Sequence, residues 1–542
     1  MDTAAKAESS QRVYPILGIG GVLLGASIAT FFGRLLSVGA ADIRGALHLD
    51  VDSASWIGTT YNMSMMFIGP FSVYLGGILG ARRVLLASAV LLTMLTAIMP
   101  FAGSFGAFLF LLAVAGLTAG TFYPLTLSFI LRNLPQNLIH VGIGAYAFDI
   151  VVTTHMAHSY EGWLIAALSW RWIFWTVTLI TPLMTVLIAF GIPRQPLPQP
   201  KPGQPKPSWR GFLYASLGAA FLYAALDQGL RLDWWRSGTF VALVVSGSFL
   251  VLAAAVRHFS RPNPLLNFPF LRRRNTLLLG LTVAIFRFVL LSGVVLVPSY
   301  LAVIKGYRPE QTGPVLLWLA IPQIFAGSLA VFLLGKIDAR LVLATGFTLV
   351  AVGCLMNARI STDWSGNSFE ASQLVLAIGE GFAFNGMVGS IILDILNSGS
   401  LEKAADVLSF AGFFQTVRLF GGEIGASFIP FFLHRRQVFH TDILSAGIDG
   451  GSAPVVARSR LLLGGMHAQA ATQDIAFGRA ATLFGGTIQR QAYTQAIMDG
   501  FMLIAYVATG CLLVVVCLKS LKVGFSQIIA ASHNKATPGK AQ

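Results

Sequence analysis

The sequence is poor in charge. Only 11% of its 542 residues are Asp, Glu, Lys or Arg, against roughly 25% in ordinary soluble domains, which excludes a water-facing globular surface over most of the chain. Cysteine is scarcer still. Cys354, Cys511 and Cys517 all fall within apolar stretches, so neither a disulfide framework nor a thiolate metal centre is indicated, and packing is their expected role. Catalytic signatures are missing as well: there is no GxSxG nucleophile elbow, no HExxH and no GxxxxGKS/T phosphate loop. No enzyme activity, cofactor or ATP-driven work by this chain alone is therefore expected. The polar start MDTAAKAESSQR lacks the apolar stretch and small-residue cleavage site of a signal peptide, so the first apolar run is expected to remain as a helix that begins inside the cell.

What the chain has instead is hydrophobicity, at 55% of residues and a mean hydropathy of +0.72. Between Tyr14 and Lys519 apolar runs recur with short charged breaks. Each run is about 20 residues long, and at about 1.5 Å rise per residue crosses a hydrocarbon core of about 30 Å. Spans are predicted at 14–37, 54–79, 82–102, 105–131, 141–166, 170–192, 211–230, 238–257, 277–303, 311–334, 340–358, 370–395, 405–433 and 497–519. These fourteen spans define an all-α polytopic membrane protein, with both termini on the cytoplasmic side. The net charge of +15 agrees: about 21 Lys and Arg fall in the cytoplasmic segments and about 7 in the short outward loops, as topology signals rather than as a nucleic-acid surface.

Two segments divide the chain. The proline- and cation-rich residues 193–210 predict an extended cytoplasmic linker, and residues 258–276, with Arg272, Arg273 and Arg274, suit the anionic inner face of a membrane. The expected plan is a cytoplasmic N-terminus (1–13), a six-helix bundle (14–192), the linker, two inserted helices (211–257), a cytoplasmic loop (258–276), a second six-helix bundle (277–519) and a tail (520–542). The last bundle carries an outward segment at about 434–496, too polar to span. Gly21 with Gly25, Gly116 with Gly120, and Gly421 with Gly425 are each four apart, so each pair lets another backbone come close. Pro70, Pro124, Pro182, Pro298, Pro322 and Pro430 lie within spans and can bend them.

Ionisable residues inside spans cost about 2.5 to 3.5 kcal/mol to insert, and each is a functional candidate. Arg34, Arg287, Glu380, Arg418 and Glu423 are such residues. The fifth span is the richest, with Asp149, His155, His158 and Glu161. The last three follow i, i+3, i+6, so successive members are neighbours on a helix, and their chemistry suits a proton relay. The same group also fits a hydrogen-bonded cluster at a wet helix end, or, without a visible fourth ligand, a metal site. Asp227, followed by Trp234 and Trp235, reads by default as an interfacial anchor, and Asp499 as a carboxylate stabilised by a helix N-terminus.

Four stretches resemble the fourteen-helix drug/proton antiporters of the major facilitator superfamily, the EmrB/QacA type: LSWRWIFW (168–175), ALDQGLRLDWW (225–235), PNPLLNFPFLRRRN before the ninth span, and VRLFGGEIGAS (417–427). The resemblance implies two six-helix bundles around a central cavity with two helices inserted between them, working by alternating access. It further implies an inner-membrane exporter of drugs or other amphipathic small molecules driven by proton entry, with a periplasmic adaptor and outer-membrane channel as partners where the source has two membranes. From the chain's own intramembrane ionisable residues, Asp149, His155, His158 and Glu161 are the proton-coupling candidates and Arg34 and Glu380 the central-cavity candidates. Arg82, Arg83, Arg418, Gly421, Gly422 and Glu423 are gating or structural residues. The sequence departs from the family pattern at Gly77, where an acid is expected, at Leu112 in place of a buried cation, and at AHSYEG (157–162) in place of GPxxGG. Carriage of organic acids or metal chelates, and a non-transporting sensor or scaffold, remain the alternatives.

Overall fold

The computed structural model describes residues 15–134, 138–194, 209–260, 271–397, 404–448, 451–467, 472–519 and 524–528. Most of the 193–210 linker, the centre of the 258–276 loop, the N-terminal segment and most of the tail lie outside them.

The first bundle comprises α1 (Pro15–Val38), the short α2 (Ala40–Ala46), α3 (Val51–Leu75), α4 (Ala81–Ile98), α5 (Phe105–Ala119), α6 (Phe122–Asn133), α7 (Ile139–Ala167) and α8 (Trp172–Gly191). Then come α9 (Trp209–Gly229) and α10 (Gly238–Phe259). The second bundle is built from α11 (Arg274–Lys305), α12 (Pro309–Leu334), α13 (Ala339–Asn357), α14 (Glu370–Asn397), α15 (Ala404–Ala446), α16 (Ala453–His467) and α17 (Gln473–Val516). Local chemistry marks the ends. The Ser104 hydroxyl accepts from the Ala107 amide to open α5, the Asp338 carboxylate accepts from the Arg340 amide to open α13, and Gly306 closes α11 at φ +68°, where a side chain would be strained.

One predicted span keeps its extent with a break inside it, and two other expectations are revised. The span at 105–131 is two helices, broken at Gly120 and Thr121, and this places Pro124 in the first turn of α6, where a missing amide costs nothing. The segment 434–496 is largely helical: α15 and α17 run 43 and 44 residues, about 65 Å each, and α16 packs beside α17. Polar composition kept this segment from reading as a membrane span, but a helix in water needs only one packed face. Cys517 is exposed, while Cys354 and Cys511 are buried.

Ten helical stretches among the described residues are by themselves long and apolar enough to cross a membrane. The other long helices, α3, α7, α9 and α15, carry enough polar or charged residues to fall below that level of hydropathy. Two cores hold the molecule. One joins α1, α3 to α6 and α8, and the other joins α11 to α15 and α17 and also takes in Tyr146, Ala147 and Val151 of α7. Small residues set the helix contacts. A Cβ on Gly116 would lie 2.4 Å from the Tyr61 carbonyl oxygen, on Gly21 2.9 Å from Ile188, and on Gly425 2.6 Å from the Phe288 carbonyl oxygen, so these glycines seat α5 on α3, α1 on α8 and α15 on α11.

The bundles meet along two seams. In the first, α7 packs on α12 and α14, with Gly162 against the Pro309 backbone and the Ser159 hydroxyl donating to the Gly313 carbonyl at 2.6 Å. In the second, α3 packs on α15, with Gly69 against Gln415. The inserted α9 lies against both α3 and α15, and α10 packs on α9 at the periphery, burying only Phe240 and Gly247.

Candidate functional site

The fifth-span candidates separate along α7. The buried His155 reaches out of the first bundle, and its Nε2 lies 2.8 Å from Oε2 of Glu380 on α14. The same oxygen accepts from Gln323 Nε2 of α12 at 2.7 Å. One carboxylate thus ties three helices across the seam between bundles. A turn further on, His158 borders the same small cavity of about 20 Å³ as His155, Glu380 and Gln373. Its Nδ1 has no partner among the described residues, and Arg34 and His155 are its charged or titratable neighbours. Glu161 is fully buried with no donor to either oxygen among the described residues; it contacts the carboxyl of Asp42 on α2, and Glu310 of α12 is close by. A hydrogen bond between two carboxyls needs one of them to carry its hydrogen. Asp149 lies on the same helix, its side chain outside the described residues.

Glu380 lies on the side of α14 that faces α7 and α12. Arg34 lines a second, larger central cavity. This space, about 260 Å³, lies between the bundles and is walled by α1, α3, α9, α11 and α15, with Arg34, Arg287, Arg418, Asp227 and Glu423 in its lining. Arg418 stacks its guanidinium 3.5 Å above the Tyr123 ring and donates through Nε to Gln415. Glu423 accepts from the Ser427 hydroxyl at 2.6 Å and touches both Tyr223 and Asp227 of α9. Gly421 seats α15 on Ala284, and Gly422 leaves room for the guanidinium of Arg287, which a Cβ there would approach to 3.3 Å.

Asp227 corrects its interfacial reading. It faces the cavity, accepts from the Thr59 hydroxyl and meets Glu423, while its neighbour Gln228 donates to the Ser55 carbonyl at 3.2 Å. The tryptophans that suggested an anchor come after the helix ends. A carboxylate within a span was the available signal. Asp499 is corrected too: α17 begins at Gln473, so Asp499 lies far from a helix N-terminus, and its partners are Arg436 and His440 of α15, each at 2.6 Å. Arg82 donates to the Ala189 carbonyl at 3.0 Å, tying α4 to the end of α8, and Arg83 donates to Leu79. No cluster of three or more metal-ligating side chains occurs among the described residues.

Two bundles, two inserted helices and a charged cavity between them are the geometry of a carrier, and residues 22–426 match the family model described as Major Facilitator Superfamily. The chain belongs to the Major Facilitator Superfamily. It is a polytopic membrane transporter of that superfamily. It is 24% identical over 461 residues to the multidrug export protein EmrB of Haemophilus influenzae, covering 81% of this chain and 86% of that one. It is 24% identical over 443 residues to the probable multidrug resistance protein EmrY of Escherichia coli, covering 79% and 83%. Among solved structures, the proton:xylose symporter XylE superposes with a TM-score of 0.58 at 11% identity over 96% of this chain and 99% of that one, a likeness of fold. These family and structural relatives are transporters, not enzymes.

Proposed function

We propose that this transporter exports amphipathic small molecules, drugs among them, in exchange for protons, by rocking its two bundles about the α7–α12 and α3–α15 seams. The observation that carries this reading is the His155–Glu380 contact. It is buried, it can take up a proton, and it joins the parts that must move relative to one another. With one proton between them the two side chains hold the seam. A proton taken up on the carboxyl itself neutralises it, leaves only a weaker uncharged acceptor and loosens the seam.

Protons reach the contact along α7, from the Asp42–Glu161 pair through His158, a path of about 9 Å at 1.5 Å per residue. Asp149 continues the same helix toward its other end. In this reading the termini are cytoplasmic, the membrane is the inner one, Arg82 and Arg83 brace the cytoplasmic ends of the helices, and the Asp42–Glu161 end faces outward. The excess of basic residues in the predicted cytoplasmic segments supports that orientation. For a source with two membranes, a periplasmic adaptor and an outer-membrane channel complete the route. The projecting lengths of α15 and α17 and the helix α16 beside them, with exposed apolar side chains such as Leu461 of α16 and Phe477 of α17, support such a docking.

The test is efflux from membrane vesicles under an imposed pH gradient, with a panel of fluorescent amphiphiles of both charge signs. Glu161→Gln should abolish gradient-driven efflux while the protein remains in the membrane. Unchanged efflux would remove Glu161 from the mechanism.

A further inference from the structure

The central cavity holds more positive charge than its own carboxyls balance. We propose that it is the substrate site and that the substrate it takes is an amphipathic organic anion, with a carboxylate seated on Arg287. The inference rests on the export reading above and adds the substrate's charge.

Arg287 is 6% exposed, lines the cavity from α11, and has no acceptor for Nε or Nη1 among the described residues. Its charged neighbours are Arg418 and Arg34, which carry the same sign. A buried guanidinium without an anion is costly, and its planar fork matches a carboxylate through two parallel hydrogen bonds. Gly422 keeps the space beside it open. The cavity's acids do not serve Arg287. Asp227 is held by Thr59 and Glu423, and Glu423 by Ser427, Tyr223 and Asp227. The two acids bring at most two negative charges against three guanidiniums. Met65, Leu291 and Leu419 supply apolar wall for the rest of the molecule. A volume of about 260 Å³ lies just below the usual span of ligand pockets, roughly 300–1,000 Å³, and suits a body of one or two rings.

The experiment is equilibrium dialysis on the detergent-purified full chain with three probes of one skeleton: 1-naphthoate, 1-naphthamide and 1-naphthylmethylamine. No gradient is present, so a failure of proton coupling and a failure of anion selectivity give separate results. The carboxylate should bind saturably and about tenfold or more tighter than the amide or the amine, a difference of about 1.4 kcal/mol. Arg287→Gln should remove that preference. The double variant Asp227→Asn/Glu423→Gln should bind naphthoate several-fold tighter, a gain that misfolding does not produce. Equal binding of the three probes, a preference for the amine, or no saturable binding of naphthoate to the wild-type chain would overturn the proposal.

Discussion

The two buried ionisable groups Glu380 and Arg287 are opposites in how they are satisfied. At the α7–α14 seam, Glu380 Oε2 accepts from both His155 and Gln323, and the space beside it, about 20 Å³, admits on the order of one water. In the central cavity, more than ten times roomier, Arg287 keeps two nitrogens without a partner among the described residues. Buried polar groups are nearly always paired because leaving them bare is expensive. The paired site is built to hold and the bare one to receive. That difference separates a contact between moving parts from a place where cargo sits.

The largest blow to this contrast falls on the paired site. Glu380→Gln keeps the shape of the contact but removes the charge, and gradient-driven efflux from vesicles should drop to the level of empty vesicles. Naphthoate binding in the cavity should stay within about twofold, as expected for sites with no shared partner. Loss of both together would show that the two sites are one. The reverse case is Gly422→Val, which crowds Leu291 and the Arg287 guanidinium at 3.0 and 3.3 Å. It should weaken naphthoate binding by about 1–3 kcal/mol, a typical cost of overpacking, and unaltered affinity would place the ligand elsewhere. The smallest effect is expected at Ser159→Ala, which loses the hydrogen bond to the Gly313 carbonyl in the α7–α12 seam. Thermal unfolding in detergent should report a loss of about 1 kcal/mol; an unchanged midpoint would mean that this bond adds nothing to the seam.

Much of the fold is legible in the sequence because span length and hydrophobic content are local properties. The long helices that fall short of a simple apolar test, α3, α7, α9 and α15, do so because they carry Thr59, His155, Asp227, Arg418 and similar groups. The site is legible only in part. His155 and Glu380 each stand out as titratable residues in apolar runs, yet they are 225 positions apart, and no local pattern encodes a pairing between bundles. The tryptophans that follow Asp227 give it the look of an interfacial residue, and its contact with Glu423 depends on how α9 lies against α15. Asp499 was read as a helix start because the polar stretch before it hides a helix that begins at Gln473. In each case the missing information was a neighbour supplied by another helix.

The central claim is that proton uptake at the contact between the bundles drives export. Proteoliposomes loaded with a pH-sensitive dye measure it most directly, by following luminal pH when an exported amphiphile from the vesicle panel is added. The account predicts substrate-dependent proton movement for the wild-type chain and none for Glu380→Gln. Transport of the amphiphile with no accompanying proton movement, or proton movement that survives Glu380→Gln, would contradict it.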